Sequence, residues 1–165
     1  MYRYIFILLI LTACHPDKDK QVDSNELNFN TSDASELFFK NVRKSDYELE
    51  ERQQAGLELY SKMGLKMAND MEPVIVLNWR SDLAYFYFNT NDSIETEMVF
   101  SIDSDRLVFE PGNHRNHAEL ARKLYNAVLS KQTILLNNQG FFESAEQANE
   151  FRRMFFDYLR LVDIR

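Results

Sequence analysis

The chain has 165 residues, 19 Lys and Arg against 26 Asp and Glu, a formal charge of −7 and 45% apolar residues. This is ordinary globular composition at a length that holds one domain, or one domain and a tail. A single cysteine excludes an internal disulfide, a multi-cysteine zinc site and an iron–sulfur cluster. The acidic balance lacks the basic face that phosphates require, so no nucleic-acid partner is expected.

In chain order, residues 1–13 read MYRYIFILLILTA, with one charge at Arg3 and an apolar run from Tyr4 to Leu11. A span needs about 20 apolar residues, so this run is too short to cross a bilayer. A charged start, a short apolar stretch and small residues describe a secretory signal peptide. Leu11-Thr12-Ala13-Cys14 then resembles the lipobox of bacterial lipoproteins: an aliphatic residue, two small ones and a cysteine. The resemblance covers the first fourteen residues. It implies cleavage between Ala13 and Cys14, lipidation of the Cys14 thiol and a membrane partner reached through lipid. Palmitate would be among the acyl groups. His15 is not the aspartate that retains enterobacterial lipoproteins in the inner membrane, so the resemblance favours the outer membrane. Loss of residues 1–13 would remove Arg3, leaving 18 basic against 26 acidic residues and a charge of −8.

Residues 14–35 are polar, with scattered apolar side chains such as Leu27 and Phe29. Such a composition buries too little surface to offset ordering entropy, so a flexible tether with a reach of about 25 Å is expected. An arm packed through Leu27 and Phe29 is the alternative. Residues 36–165 are then a single domain. Asp33-Ala34-Ser35-Glu36 has capping-box spacing ahead of Leu37, Phe38, Phe39 and Val42, where a short helix or strand begins. Over 47–63, Leu49, Gly56, Tyr60 and Met63 share a helical face, while Ala55, Leu57 and Leu59 alternate as in a strand. Helix is the preferred reading.

Val74–Trp79 and Leu83–Phe88 are β-branched and aromatic runs separated by Arg80-Ser81-Asp82, which predicts a hairpin. A second hairpin is predicted from Met98–Ile102 and Leu107–Phe109, and a further strand at Thr133–Leu136. Residues 116–130 carry Leu120, Ala121, Leu124, Tyr125 and Val128 on one side of a helix. The last helix starts at Ser144, with Gln147 at capping-box spacing. Its stripe of Ala148, Phe151, Phe155, Leu159 and Val162 is widened by Met154, Tyr158 and Leu161, and Phe156 and Ile164 fall on its polar side. The fold class is therefore α+β: an antiparallel sheet of four to five strands with two or three helices packed on it. Tyr85-Phe86-Tyr87-Phe88 presents aromatics on both faces of one strand. One face is core, and the second is expected under a helix.

Chemistry concentrates at Gly112–Glu119. His114 and His117 lie three apart on one side of a helix, at an amino-terminal end that disfavours protonation. With Glu110 or Glu119 they form a candidate metal or pocket site. His-x-x-His alone supplies fewer ligands than zinc needs, so an amino-terminal capping region with one half-buried histidine is the alternative. There is no Gly-x-Ser-x-Gly elbow, P-loop or Gly-x-Gly-x-x-Gly, so no nucleophilic set and no nucleotide cofactor are indicated. Glu50/Glu51 and Glu95/Glu97 read as solvated carboxylates. Asp92-Ser93-Ile94 resembles the Asp-Ser/Thr-aliphatic O-glycosylation site of Bacteroidetes envelope proteins, which implies a glycan on Ser93. The leading expectation is a non-catalytic, lipid-anchored envelope protein whose domain meets an envelope protein partner. An envelope inhibitor or immunity protein, whose acidity suits a basic target, is a second reading. A hydrolase or metal-binding protein centred on His114 and His117 is a third.

Overall fold

A computed structural model of the chain describes residues 19–90 and 98–164. Cys14, Ala13 and Ser93 lie outside these residues. The elements are α1 (Asp33–Phe38), β1 (Glu48–Arg52), β2 (Leu57–Ser61), β3 (Glu72–Asn78), β4 (Leu83–Asn89), β5 (Met98–Ile102), β6 (Asp105–Phe109), α2 (His114–Leu129), β7 (Ile134–Leu136), β8 (Gln139–Gly140) and α3 (Ala145–Leu161). The fold is α+β. The strands form two antiparallel four-stranded sheets, in the orders β1-β2-β3-β4 and β6-β5-β7-β8. A single sheet was expected. The second sheet is completed by β7 and β8, which turn through Asn137 and Asn138, both at positive φ. Asparagine tolerates that left-handed conformation, so an Asn-Asn pair closes a tight hairpin.

Both large hairpins form where the apolar runs predict them. The segment 47–63 is a hairpin rather than the preferred helix. Leu59 stands opposite Val76 and Tyr60 opposite Ile75. A strand buried on one face gains those partners only at period two, and this tertiary pairing outweighs the helical spacing. Gly56 makes the turn at φ +73°, and the Arg80 guanidinium bonds the Gln53 and Gln54 carbonyls at 3.1 Å each.

Of the two long helices, α3 starts at its predicted cap, whereas the cap of α2 was not predicted. Asn113 caps α2 by accepting from the Asn116 amide at 3.1 Å, and Ser144 caps α3 by accepting from the Gln147 amide at 3.1 Å. The first helix is capped one residue earlier than predicted. Ser32, not Asp33, accepts from the Ser35 amide. Helix α3 packs Phe151, Phe155 and Tyr158 against Phe86, with ring centroids 5.1–6.0 Å apart. Phe88 and Phe109 meet at 6.2 Å, joining the two sheets in one buried cluster. Ile164 is buried, contrary to its place on the helical wheel. The helix ends at Leu161, and Asp163 at φ +58° turns the chain so that Ile164 folds inward.

The expected tether does not extend through residues 19–35. Val22 is buried, and Asn126 both donates to its carbonyl (2.9 Å) and accepts from its amide (3.0 Å). Arg122 also donates to the Val22 carbonyl at 2.8 Å. Further along, the Phe29 carbonyl accepts from the Ala84 amide at 2.8 Å, and the Thr31 amide donates to the Asp82 carbonyl at 2.8 Å. The arm thereby covers one end of the free edge of β4. Its few apolar residues suffice because the backbone hydrogen bonds act with them. Among the described residues, no helix is long and apolar enough to cross a membrane.

Candidate functional site

The register of the first sheet sorts its side chains into two faces. Tyr60, Ile75 and Phe86 align across the strands toward α3. The row Glu50–Leu59–Val76–Tyr85 and the row Glu48–Ser61–Val74–Tyr87 align on the opposite, outer face. Phe86 and Phe88 are buried, as one face requires, whereas Tyr85 and Tyr87 remain partly exposed. The expected helical cover reaches them only at the β4 end, through the first turn of α2. Tyr85 lies beside Phe29 and His114, and Tyr87 beside His117.

A groove of about 500 Å³ runs over this outer face. Leu59, Val74 and Val76 line it, with Glu50 and Arg52 at the β1 end and Tyr87 and His117 at the β4 end. Glu72, Ser61 and Asn89 add oxygen and amide groups. Arg52 donates to Glu50 at 2.7 Å, so two of the charges neutralise each other. Little in the order of residues signals this groove. It depends on β1 being a strand, and the four strands contribute only alternate residues.

His117 is the most constrained polar group here. It is 5% exposed, and its Nδ1 accepts from the Phe88 amide at 3.0 Å. A backbone amide can only donate, so the neutral ring carries its proton on Nε2. Among the described residues that Nε2–H has no partner, and the ring lines the groove. Burial lowers the pKa of His117 from 6.5 to about 4, which keeps the imidazole neutral at pH 7. His117 also closes the β4 edge beyond the arm.

The other predicted ligands go elsewhere. His114 packs edge-on to Phe29, with centroids 4.7 Å apart. Glu110 is exposed, and its carbonyl accepts from the Asn116 side chain at 2.9 Å. Glu119 takes two hydrogen bonds from Arg122, at 2.9 and 2.6 Å, and one from the Ser24 hydroxyl at 3.2 Å. Burial works to raise the pKa of Glu119, and the Arg122 guanidinium outweighs it and holds the carboxyl below its ordinary range. Among the described residues no group of three or more His, Cys, Asp or Glu is placed to hold a metal ion. The metal reading of His114, His117, Glu110 and Glu119 is therefore corrected. The spacing put both histidines on one helix side, but aromatic packing and the Phe88 amide took their rings.

Sequence reasoning also missed a buried charge cluster. Asp157 is 4% exposed and accepts from Arg43 through both oxygens at 2.8 Å, and from the Tyr47 hydroxyl at 2.6 Å. Burial, reinforced by the Asp157 charge, pushes the Tyr47 hydroxyl pKa well up. The cluster ties α3 to the turns after α1, facing away from the groove. A carboxylate at the flank of the wide apolar stripe of α3 was its signal.

No protein-family model matches the chain, and no curated protein and no solved structure matches it either.

Proposed function

We propose that this chain is a lipid-anchored protein of the bacterial cell envelope whose domain is a non-catalytic binding module. The membrane is its partner through lipid on Cys14, and an envelope protein is its partner through the outer face of the first sheet. The outer membrane is the proposed location. The observation that carries the reading is the Leu11-Thr12-Ala13-Cys14 motif behind a short apolar leader. The groove supports binding rather than catalysis. Its histidine is neutral, and its one lone pair is already occupied by the Phe88 amide. Such a ring offers a fixed donor to a ligand but no base to take a proton. The half-exposed Leu59, Val76 and Tyr87 supply apolar contact between polar ends, as binding clefts do.

Two arms of one labelling experiment test this. Cells fed a clickable palmitate analogue should label the wild type and not Cys14→Ser; equal labelling, or none, removes the anchor. A photo-crosslinking residue at Val76 should give a discrete, saturable adduct in intact cells. A diffuse adduct pattern matching that from exposed Met63 would remove the groove as the binding face.

A further inference from the structure

Resting on the lipid-anchor reading, we propose that the bilayer meets one defined side of the domain: the outward face of α3 together with Leu37 and Val42. The arm determines which side this is. Asp19 lies only five residues beyond Cys14, a contour of at most about 18 Å. Asp19 forms an ion pair with Arg152 on α3, and the next anchor, Val22, is clamped by Asn126 and Arg122. Lipid on Cys14 therefore leaves the domain little room to swing, and the side around Arg152 is brought toward the membrane.

That side is built for a headgroup layer. Arg152, Phe156 and Arg160 recur at four-residue spacing along α3, so they lie on one face. The Arg160 guanidinium sits 4.4 Å from the Phe38 ring and 5.9 Å from the Phe156 ring. Next to Phe38, Leu37 is 63% exposed, and Val42, one turn on, is 51% exposed. These are two of the most exposed large apolar side chains among the described residues, and both stand on the helical stretch beside Arg160. Asp19 and Glu150 carry negative charge on the same side. Asp19 faces Arg152, and Glu150 faces Lys62 and Arg153. The ion pairs therefore nearly balance, and the apolar side chains carry the contact, entering the headgroup boundary as an interfacial helix does. Because α3 packs on the inner face of the first sheet, this orientation turns the groove away from the bilayer and toward a partner.

The test uses the lipidated full chain in vesicles of phosphatidylethanolamine and phosphatidylglycerol containing a headgroup-nitroxide lipid. The acylated Cys14 has no free thiol, so an added cysteine is the only labelling site. A fluorophore on Leu37→Cys should lose its emission to the nitroxide, and one on Glu50→Cys, at the groove, should keep it. Equal quenching at the two positions would overturn the proposal. A fluorophore on Asn41→Cys should likewise be quenched, and the added changes Leu37→Glu and Val42→Glu should abolish that loss. Persistent quenching would overturn the apolar contact. Intact mass of the same preparation separates the two readings. A chain without lipid on Cys14 defeats the anchor itself, whereas a lipidated chain with equal quenching defeats only the orientation.

Discussion

At pH 7 the His117 imidazole is neutral and accepts the Phe88 amide, because burial holds its pKa at about 4 against an ordinary 6.5. A group whose folded pKa is depressed stabilises the fold above its unfolded pKa and loses that contribution as pH falls through the folded value. The window here is 6.5 down to about 4. Its full depth is at most about 3 kcal/mol, from the 1.36 kcal/mol per unit of pKa difference. Urea midpoints should therefore fall between pH 7 and pH 4.5 by more in the wild type than in His117→Ala. That variant should also be weaker at pH 7 by about 2 kcal/mol, since the Phe88 amide loses its acceptor. Parallel pH profiles in the two proteins would show that the histidine does not titrate in this window. The sequence made the helical position of His117 legible, but not its partner. The Phe88 amide is 29 positions away, and only the pairing of β4 brings it within reach.

The arm from Asp19 to Thr31 is the element whose polar composition misled most. Val22 is buried at the α2 end of the arm, and Phe29 and Thr31 bond the edge of β4. Asn126 makes two hydrogen bonds to Val22, so Asn126→Ala should cost about 1–2 kcal/mol. Hydrogen exchange should then speed at Val22 and Arg122-facing amides of the arm, while β3 stays protected. Unchanged exchange in the arm would mean that Asn126 does not hold it. The hairpin of β1 and β2 shows the same limit in another form. Leu49, Tyr60 and Met63 fit a helical wheel, and Leu57 and Leu59 fit a strand, so local pattern could not decide. Pairing with β3 decided it, because β3 is apolar on both faces and needs a neighbour on its open side. Strands β3 and β4 were legible because their β-branched and aromatic runs are too short and too dense for an amphipathic helix.

The two sheets share one buried aromatic cluster, in which Phe88 touches Phe109 and Phe151, and Phe100 touches Phe109 and Phe141. The domain should accordingly unfold as one unit. Emission from Trp79, the single tryptophan and a residue of the first sheet's hairpin, should follow the same denaturation curve as far-ultraviolet circular dichroism. Separated midpoints would show that the sheets are independent. The layering also gives the molecule two opposite sides. Helix α3 and the exposed Leu37 and Val42 lie on one, and the groove with His117 lies on the other. If the first side meets the bilayer, the second is presented to partners.

The amino-acid sequence by itself determined the α+β class, the two central hairpins, the cap of the last helix and the lipobox resemblance. Each of these depends on neighbours in the chain: alternation, side-chain oxygens beside helix amides, or a run of adjacent residue types. It did not determine the second sheet, the docked arm, the β1–β2 hairpin or the destinations of His114, His117, Glu119 and Asp157. Those rest on contacts between residues far apart in sequence, such as Arg43 with Asp157 and Val22 with Asn126. A buried donor or acceptor is satisfied by whichever group the fold brings near it, and local sequence carries no record of that group.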